Sequence, residues 1–398
     1  MQHVFSGVGK VYSPCLRILG LKFAGWARQG EKGFCSVQKI CESSRNICRV
    51  NSRKPKGIHT NVRVSQEIWG MFGCWPICGE RVRVRDISGA SVTYFVHENI
   101  DKGGFSTIEL VSSSKSRQEF VLKRILCHSK SDEVKALDEA FLHLHLPQHR
   151  NILSCVGTGL TPLSHHPQGA TSQVLMILKY YEKGTLEREL TRRRKTADGL
   201  SSQIAAKLIT GLCRALAVLL TLSSPLSHRD IKPANVLLGP NWCPVLMDFG
   251  SCTSAVIEIR NFKDAEKWKD FAAENCSMTY RSPELFQPKV NQSITEKADI
   301  WSLGCLLYAL LFLESPFDCV HARGDSVALA VCSAKVQFPE DCSSRVTPSM
   351  ISLIKSMLRL EPSERPSLAQ IENALEALEP NIISELDNSV ISTQALTT

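Results

Sequence analysis

Two short stretches concentrate the side chains best suited to chemistry. SHRDIKPANVLL at 227–238 carries Asp230, Lys232 and Asn235, and DFG at 248–250 carries Asp248, eighteen residues past Asp230. Carboxylate and amide oxygens are the donors that a hard divalent cation takes. A carboxylate can also accept the proton of a hydroxyl. A lone Asp-Phe-Gly means little, and two isolated aspartates can be plain loop caps. Here, however, YRSPE at 280–284 and DIWSLG at 299–304 follow in order along the same chain.

His-Arg-Asp-x-Lys-x-x-Asn followed by Asp-Phe-Gly resembles the catalytic signature of protein kinases, over roughly residues 90–380. The resemblance implies an ATP-dependent enzyme that phosphorylates protein hydroxyls, mostly by positioning and charge neutralisation. It assigns Asp230 to accept the proton of the attacking hydroxyl, a role worth about 10² to 10⁴ in rate. Asn235 and Asp248 become the Mg²⁺ ligands, and Lys232 the holder of the transferring γ-phosphate. That lysine matches serine/threonine kinases, whereas tyrosine kinases usually replace the stretch. FVLKRI puts Lys123 on the third strand, where the resemblance has it grip the α- and β-phosphates. Its expected partner is Glu139, sixteen residues on; a solvated Glu139, or Glu133 in its place, are the alternatives.

These groups need two lobes to bring them together, and 398 residues exceed one core of about 150. SVTYFVHENI, TIELVSSS and EFVLKRILC are β-rich runs separated by turn residues, the pattern of an antiparallel meander. Asp132 to Leu146 then carries Val134, Leu137, Phe141 and Leu144 at helical spacing, predicting one helix with that stripe inward. QVLMILKYY at 173–181 is a buried strand. After Gly184 the texture turns helical, at Ile204–Leu222, Ala298–Phe312, Met350–Leu358 and Leu368–Leu378. The fold class is therefore α+β, a two-lobed kinase fold with a β-rich N-lobe holding one helix and a mainly α C-lobe. The expected division is an extension over 1–89, a kinase domain over 90–380 (N-lobe 90–178, C-lobe 184–380) and a tail over 381–398.

ENIDKGGFSTIEL at 98–110 sits where a phosphate-binding glycine loop belongs, ahead of Lys123. The usual G-x-G-x-x-G would have glycine at Asp101 and Ser106. The resemblance carries Gly103 onto the second glycine and the small Ser106 onto the third, with Gly104 between them. Asp101 replaces the first. An anion 4 Å from a phosphate charge costs about 1 kcal/mol in water and about 4 at intermediate dielectric, so a working clamp with weakened ATP binding is expected. The same frame promotes Ile100, Ile108, Val121 and Leu237 to the adenine pocket, Leu178 to its gatekeeper, and the Lys179–Tyr181 backbone, with Tyr180 at its centre, to the hinge.

LKRILCH (122–128), PVLMDFGS (244–251), YRSPELF (280–286), ADIWSLGCLLYALLF (298–312) and RGDSVALAV (323–331) resemble the Numb-associated kinase family. That resemblance implies constitutive serine/threonine kinase activity and an extra helix after the activation segment, near Asp318–Val336. Ser277 is expected to hold Asp230, Glu284 to pair with Arg365, and Asp299 to tie the catalytic-loop backbone. A small acylated member of the family starts Met-Gly with paired cysteines close behind. Here MFGCWPICGERV at 71–82 offers Cys74 and Cys78, but Phe72 follows Met71, which does not support N-myristoylation. Two palmitoylated cysteines beside Trp75 and Arg81 would still anchor the chain to a membrane; ordinary free thiols are the alternative. The resemblance thus places the protein in the cytoplasm and on membranes, the Golgi among them.

The net charge of +8 lies in the first residues: 1–70 hold 12 Lys/Arg against 3 Asp/Glu, leaving 35 and 36 for the rest. A near-neutral body argues against a nucleic-acid groove. Residues 1–70 read as a largely disordered extension. Within them, CLRILGLKFAGWAR at 15–28 has the character of a basic amphipathic helix, so organelle targeting stays open beside a plain extension or sequence translated ahead of Met71. No apolar run approaches the roughly 18 residues of a membrane span. The sixteen cysteines include no C-x-x-C pair, so a zinc site is not expected; Cys213, Cys305 and Cys332 read as small core residues. Against the active kinase stand two rivals: a pseudokinase scaffold, favoured by the altered glycine loop, and a small-molecule phosphotransferase, which gives no reason for YRSPE.

Overall fold

Strict alternation starts the upper lobe. β1 (Arg81–Arg85) buries Val82 and Val84 and exposes its three arginines, the period of two that places successive side chains on opposite faces. β2 (Ser91–Lys102), β3 (Ser106–Ser113) and β4 (Glu119–Cys127) follow as the predicted meander. The computed structural model describes residues 79–380 apart from Phe105, Arg117, His165 and 341–345. The expected extension with Cys74 and Cys78, and the expected tail, lie outside the described residues except at 79–89. There β1 pairs with β2 in register from Arg81↔Phe95 to Arg85↔Ser91, so the lobe begins before the predicted residue 90.

After β4 comes α1 (Lys130–His145), opened by a reciprocal cap between Ser129 and Asp132. β5 (Cys155–Pro162) and β6 (Ser172–Lys179) complete a closed antiparallel barrel in the order β1-β2-β3-β4-β6-β5. β5 was not legible as a strand because CVGTGLTP mixes two glycines and a proline into it. Val82, Val84, Tyr94, Val111, Phe120, Leu122, Leu175 and Ile177 fill the barrel.

α1 corrects one expectation. Its buried residues are Glu133, Ala136, Asp138, Ala140, Leu142 and His143, while the predicted stripe of Val134, Leu137, Phe141 and Leu144 is only half-buried. The helix is covered on more than one side, and small alanines let it approach its neighbours closely. Glu133 does face a strand: its Oε2 accepts from Ser172 Oγ at the start of β6 (2.7 Å), and it also pairs with Lys130. It is not the partner of Lys123.

The lower lobe runs through α2 (Leu186–Arg194), α3 (Ser202–Leu220), the hairpin of β7 (Val236–Leu238) and β8 (Pro244–Leu246), then β9 (Ile257–Ile259) and α4 (Phe262–Asn275). It continues with α5 (Pro283–Phe286), β10 (Gln292–Ile294), α6 (Lys297–Phe312), α7 (Asp318–Ala322), α8 (Val327–Cys332), α9 (Pro348–Met357) and α10 (Leu368–Leu378). α6 is buried without a break from Ala298 to Leu311, as an all-round apolar helix must be in a soluble lobe. By length and composition α3 could cross a membrane, yet eleven of its residues are buried in the helical core. Cys213 and Cys305 are buried as expected and Cys332 is half-buried.

One helix of the lower lobe had not been anticipated from the sequence. α4 lies inside the segment between Asp248 and Glu284, capped by Asn261 and packed with β9, β10 and Leu285. Asp318–Val336, near which the added helix was expected, holds the short helices α7 and α8.

Candidate active site

β4 lies between β3 and β6, and this fixes the upper half of the site. Lys123 is opposite Ile108 on one side and Met176 on the other. Its Nζ reaches Glu139 Oε1 on α1 at 2.7 Å and Asp248 Oδ1 at 3.8 Å. Burial works against the Lys123 ammonium, but Glu139 and then Asp248 outweigh it and its pKa is raised. Burial likewise opposes the Asp248 carboxylate; Lys123, His228 and Lys232 overcome it, and its pKa is lowered. Both groups are therefore charged at neutral pH.

The lower half is a network around Asp230, which is 7% exposed. Its Oδ1 accepts from Ser277 N (2.8 Å) and its Oδ2 from Asn235 Nδ2 (2.9 Å), while Lys232 Nζ lies 2.8 Å from that same Oδ2. Lys232 also donates to Ser277 Oγ at 2.6 Å. Asn235 spends its amide hydrogens on Asp230, including a bond to the Asp230 carbonyl (2.8 Å), which turns its Oδ1 into the atom on offer to a cation. Met247 N donates to Asn235 O (3.0 Å) and so sets Asp248 beside that asparagine.

The backbone around these groups is strained and then braced. Asp248 has φ 65° and Arg229 φ 70°, left-handed conformations that cost a non-glycine residue roughly 1–3 kcal/mol. Asp299 at the start of α6 offsets this: its two oxygens accept from His228 N and Arg229 N, both at 2.8 Å. Phe249 packs edge-on between His143 and His228, with ring centroids 4.9 and 5.5 Å away. Gly250 has room for no larger residue without crowding, since a Cβ there would stand 3.3 Å from Glu139 Oε2.

Val121, Leu178 and Leu237 share one apolar cluster with Val245 and Tyr181. Ile108 and Tyr180 are half-buried. Ile100 is 47% exposed and outside that cluster. Gly103 N donates to Ser106 O (2.8 Å) to close the β2–β3 hairpin. A Cβ on Gly103 would press to 3.2 Å from Ser106 Oγ, while Gly104 has open space. Asp101 is an exposed strand residue opposite Ile108, and its Oδ1 accepts from Lys102 N (2.8 Å).

One contributor escaped the sequence reading. His143, one turn past Glu139 on α1, joins the helix to Phe249 and reaches the Leu153 carbonyl through Nε2 (2.6 Å). Burial drives its pKa down to about 4, the Leu153 contact opposing and Lys123 adding to the fall. The i, i+4 spacing from Glu139 was the available signal.

Could the pair Asn235 and Asp248 hold a metal? They are two hard oxygen donors, one carrying a charge, and no group of three or more His, Cys, Asp or Glu forms a metal cage among the described residues. Such a sparse set fits Mg²⁺, which characteristically keeps waters and takes other ligands from nucleotide phosphates.

A β-barrel lobe presenting a lysine–glutamate pair, above a helical lobe presenting two aspartates and an asparagine, defines a protein kinase. The protein kinase domain family matches residues 94–375, and the chain belongs to it. Serine/threonine-protein kinase 16 of Rattus norvegicus is 37% identical over 287 residues, covering 72% of this chain and 90% of that protein, and its Homo sapiens counterpart gives the same figures. Serine/threonine-protein kinase ppk13 of Schizosaccharomyces pombe is 30% identical over 319 residues, 71% of this chain and 90% of that protein. The chain is an ATP-dependent protein serine/threonine kinase; its family uses ATP and a divalent metal and acts on protein substrates.

Proposed function

We propose that the protein is an active, constitutively competent Mg²⁺-dependent kinase of the Numb-associated branch that works on serine and threonine side chains at a membrane. The observation that carries catalysis is the single Lys123 ammonium bound at 2.7 Å to Glu139 and 3.8 Å from Asp248, because it links nucleotide lysine, helix and metal-binding aspartate in one assembly.

In this reading Lys123, oriented by Glu139, binds the α- and β-phosphates. Asp230, fixed by Ser277 N and Asn235, orients the substrate hydroxyl and takes its proton. Lys232 leaves Asp230 and Ser277 to hold the transferring phosphate. Asn235 and Asp248 would hold the cation, which would supply neutralising charge to the phosphates. Gly103, Gly104 and Ser106 close over the phosphates by backbone, with Ile108, Val121, Leu178 and Leu237 around adenine. Ile100, the most exposed of the predicted pocket residues, closes the cleft's mouth.

Constitutive competence is supported by Arg229. Its guanidinium donates to Thr253 Oγ1 (3.1 Å) and to the carbonyls of Thr295 (2.6 Å), Ser254 (2.9 Å) and Ala255 (3.2 Å), so the start of the segment is tied down without a phosphate. Membrane work is supported by the sequence alone, through Cys74 and Cys78. The pseudokinase reading keeps only the glycine-loop departure in its favour.

The test is transfer of the γ-phosphate from Mg²⁺-ATP to a generic protein substrate. Transfer by the wild type that falls about 10² to 10⁴-fold in Asp230→Ala, with folding kept, supports the reading. Nucleotide binding without transfer by the wild type would establish the scaffold instead.

A further inference from the structure

The outer face of the β1–β2 hairpin is unlike the rest of the near-neutral body. Arg81, Arg83 and Arg85 are all exposed on β1 while Val82 and Val84 are buried, so three arginines leave one face of the strand from positions about 6.7 Å apart. Apolar groups accompany them. Phe95, opposite Arg81 in the ladder, has the Arg81 guanidinium 5.3 Å from its ring centroid. Ile87, in the turn that ends the strand, is 69% exposed. On the other flank Arg85 pairs with Thr158 of β5, and two residues on, Leu160 shares that face and is 38% exposed.

Two nearby carboxylates are engaged in contacts of their own. Asp86 is turned into its own turn, accepting from Ser88 N, Ser88 Oγ and Ala90 N at 2.9, 2.6 and 3.0 Å. Its pKa is lowered, chiefly by Ser88, and Lys115 is near enough to assist, which adds a fourth cation beside the turn. Glu80 reaches Arg124 at 2.7 Å.

We propose that this face is a docking surface for an anionic lipid bilayer, with the arginines among the headgroups and Ile87 at the acyl boundary. Cations that hold lipid phosphates and carboxylates, together with an aromatic ring and bare aliphatic tips, make the mixed chemistry of a membrane interface. A polyanion such as nucleic acid gives the exposed Ile87 and Leu160 nothing to contact. The chain's covalent order agrees. Cys78 precedes Arg81 by three residues, so an acyl chain on its sulfur is tethered within roughly 10 Å of the start of β1. The inference deepens the membrane reading above, and it stands or falls separately from acylation.

The experiment uses full-length protein made in bacteria, hence without palmitate, and flotation with phosphatidylcholine vesicles with or without phosphatidylserine. Each cation near an anionic surface adds roughly five-fold to partitioning. The triple variant R81S/R83S/R85S should therefore bind phosphatidylserine vesicles about 100-fold more weakly, and Ile87→Ser several-fold more weakly. Both should phosphorylate a soluble substrate at the wild-type rate, which shows that they fold. The basic segment 1–70 is present throughout, so binding that survives in the triple variant belongs to that segment and overturns the proposal. Wild-type binding that ignores phosphatidylserine, or an equal preference for duplex RNA, overturns it too. Failure of palmitate labelling to depend on Cys74 and Cys78 in cells would remove the anchor while leaving the vesicle result intact.

Discussion

The glycine loop and the catalytic loop handle the same nucleotide and are built on opposite terms. Between β2 and β3 the chain is held by ladder bonds and one hairpin contact, Gly103 N to Ser106 O, and its residues from Glu98 to Gly104 are exposed. Around Asp230, by contrast, Asn235, Ser277, Lys232 and His228 all contribute bonds, and Asp299 holds the backbone from another helix. A loop that acts through backbone N–H groups needs only small residues close to the ligand, so glycine can become serine or even aspartate at its margin. A loop that acts through one carboxylate needs that carboxylate immobile, and each brace is a separate residue that cannot drift.

If that contrast is right, damage should be greatest where bracing is densest. Arg365 supports the lower lobe by a bidentate pair with Glu284 (2.7 and 2.8 Å), by bonds to the Arg359, Leu360 and Lys297 carbonyls, and by stacking over Trp301. Arg365→Ala leaves Glu284 without its buried partner and should lower unfolding free energy by about 3–5 kcal/mol, read by urea denaturation. A loss under about 1 kcal/mol would mean that the brace is ornamental.

His143 gives the contrast a pH signature. Folded, it is neutral with a pKa of about 4, against an ordinary 6.5. The unfolded chain takes up the proton first, so the stabilisation is whole above pH 6.5 and is lost as pH falls toward 4, about 3 kcal/mol in all. His143→Leu should flatten the fall in stability across that window; an unchanged slope would place the acid sensitivity elsewhere.

The glycine loop should respond least. Asp101→Gly removes a carboxylate near the nucleotide's charge and should improve the ATP KM by roughly five-fold, from about 1 kcal/mol of repulsion across water. A KM that is unchanged or larger would show that the exposed aspartate is no handicap, and the loop more tolerant still.

Legibility in the sequence followed the same division. Groups that act by side chain carry motifs, so Lys123, Asp230, Lys232, Asn235 and Asp248 could all be named from spacing and resemblance. The long helices α3, α6, α9 and α10 were readable from apolar periodicity. What escaped depends on tertiary contact. β5 is a strand because β1 and β6 flank it, despite its glycines and proline. α4 is too weakly apolar to stand out, with three lysines among its fourteen residues, and it is packed by half-buried Trp268 and Phe271 with Ala265 and Ala272. The buried face of α1 was misplaced because alanines carry little apolar signal although they permit the closest packing.

The central claim is that Lys123 above and Asp230 below act as one unit on one nucleotide. Its most direct test is a double-mutant cycle in single-turnover phosphoryl transfer with Lys123→Met, Asp230→Ala and the pair. Residues of one catalytic unit are strongly non-additive, so the double variant should be little slower than the worse single variant. Losses that multiply fully would show two independent sites and contradict this account.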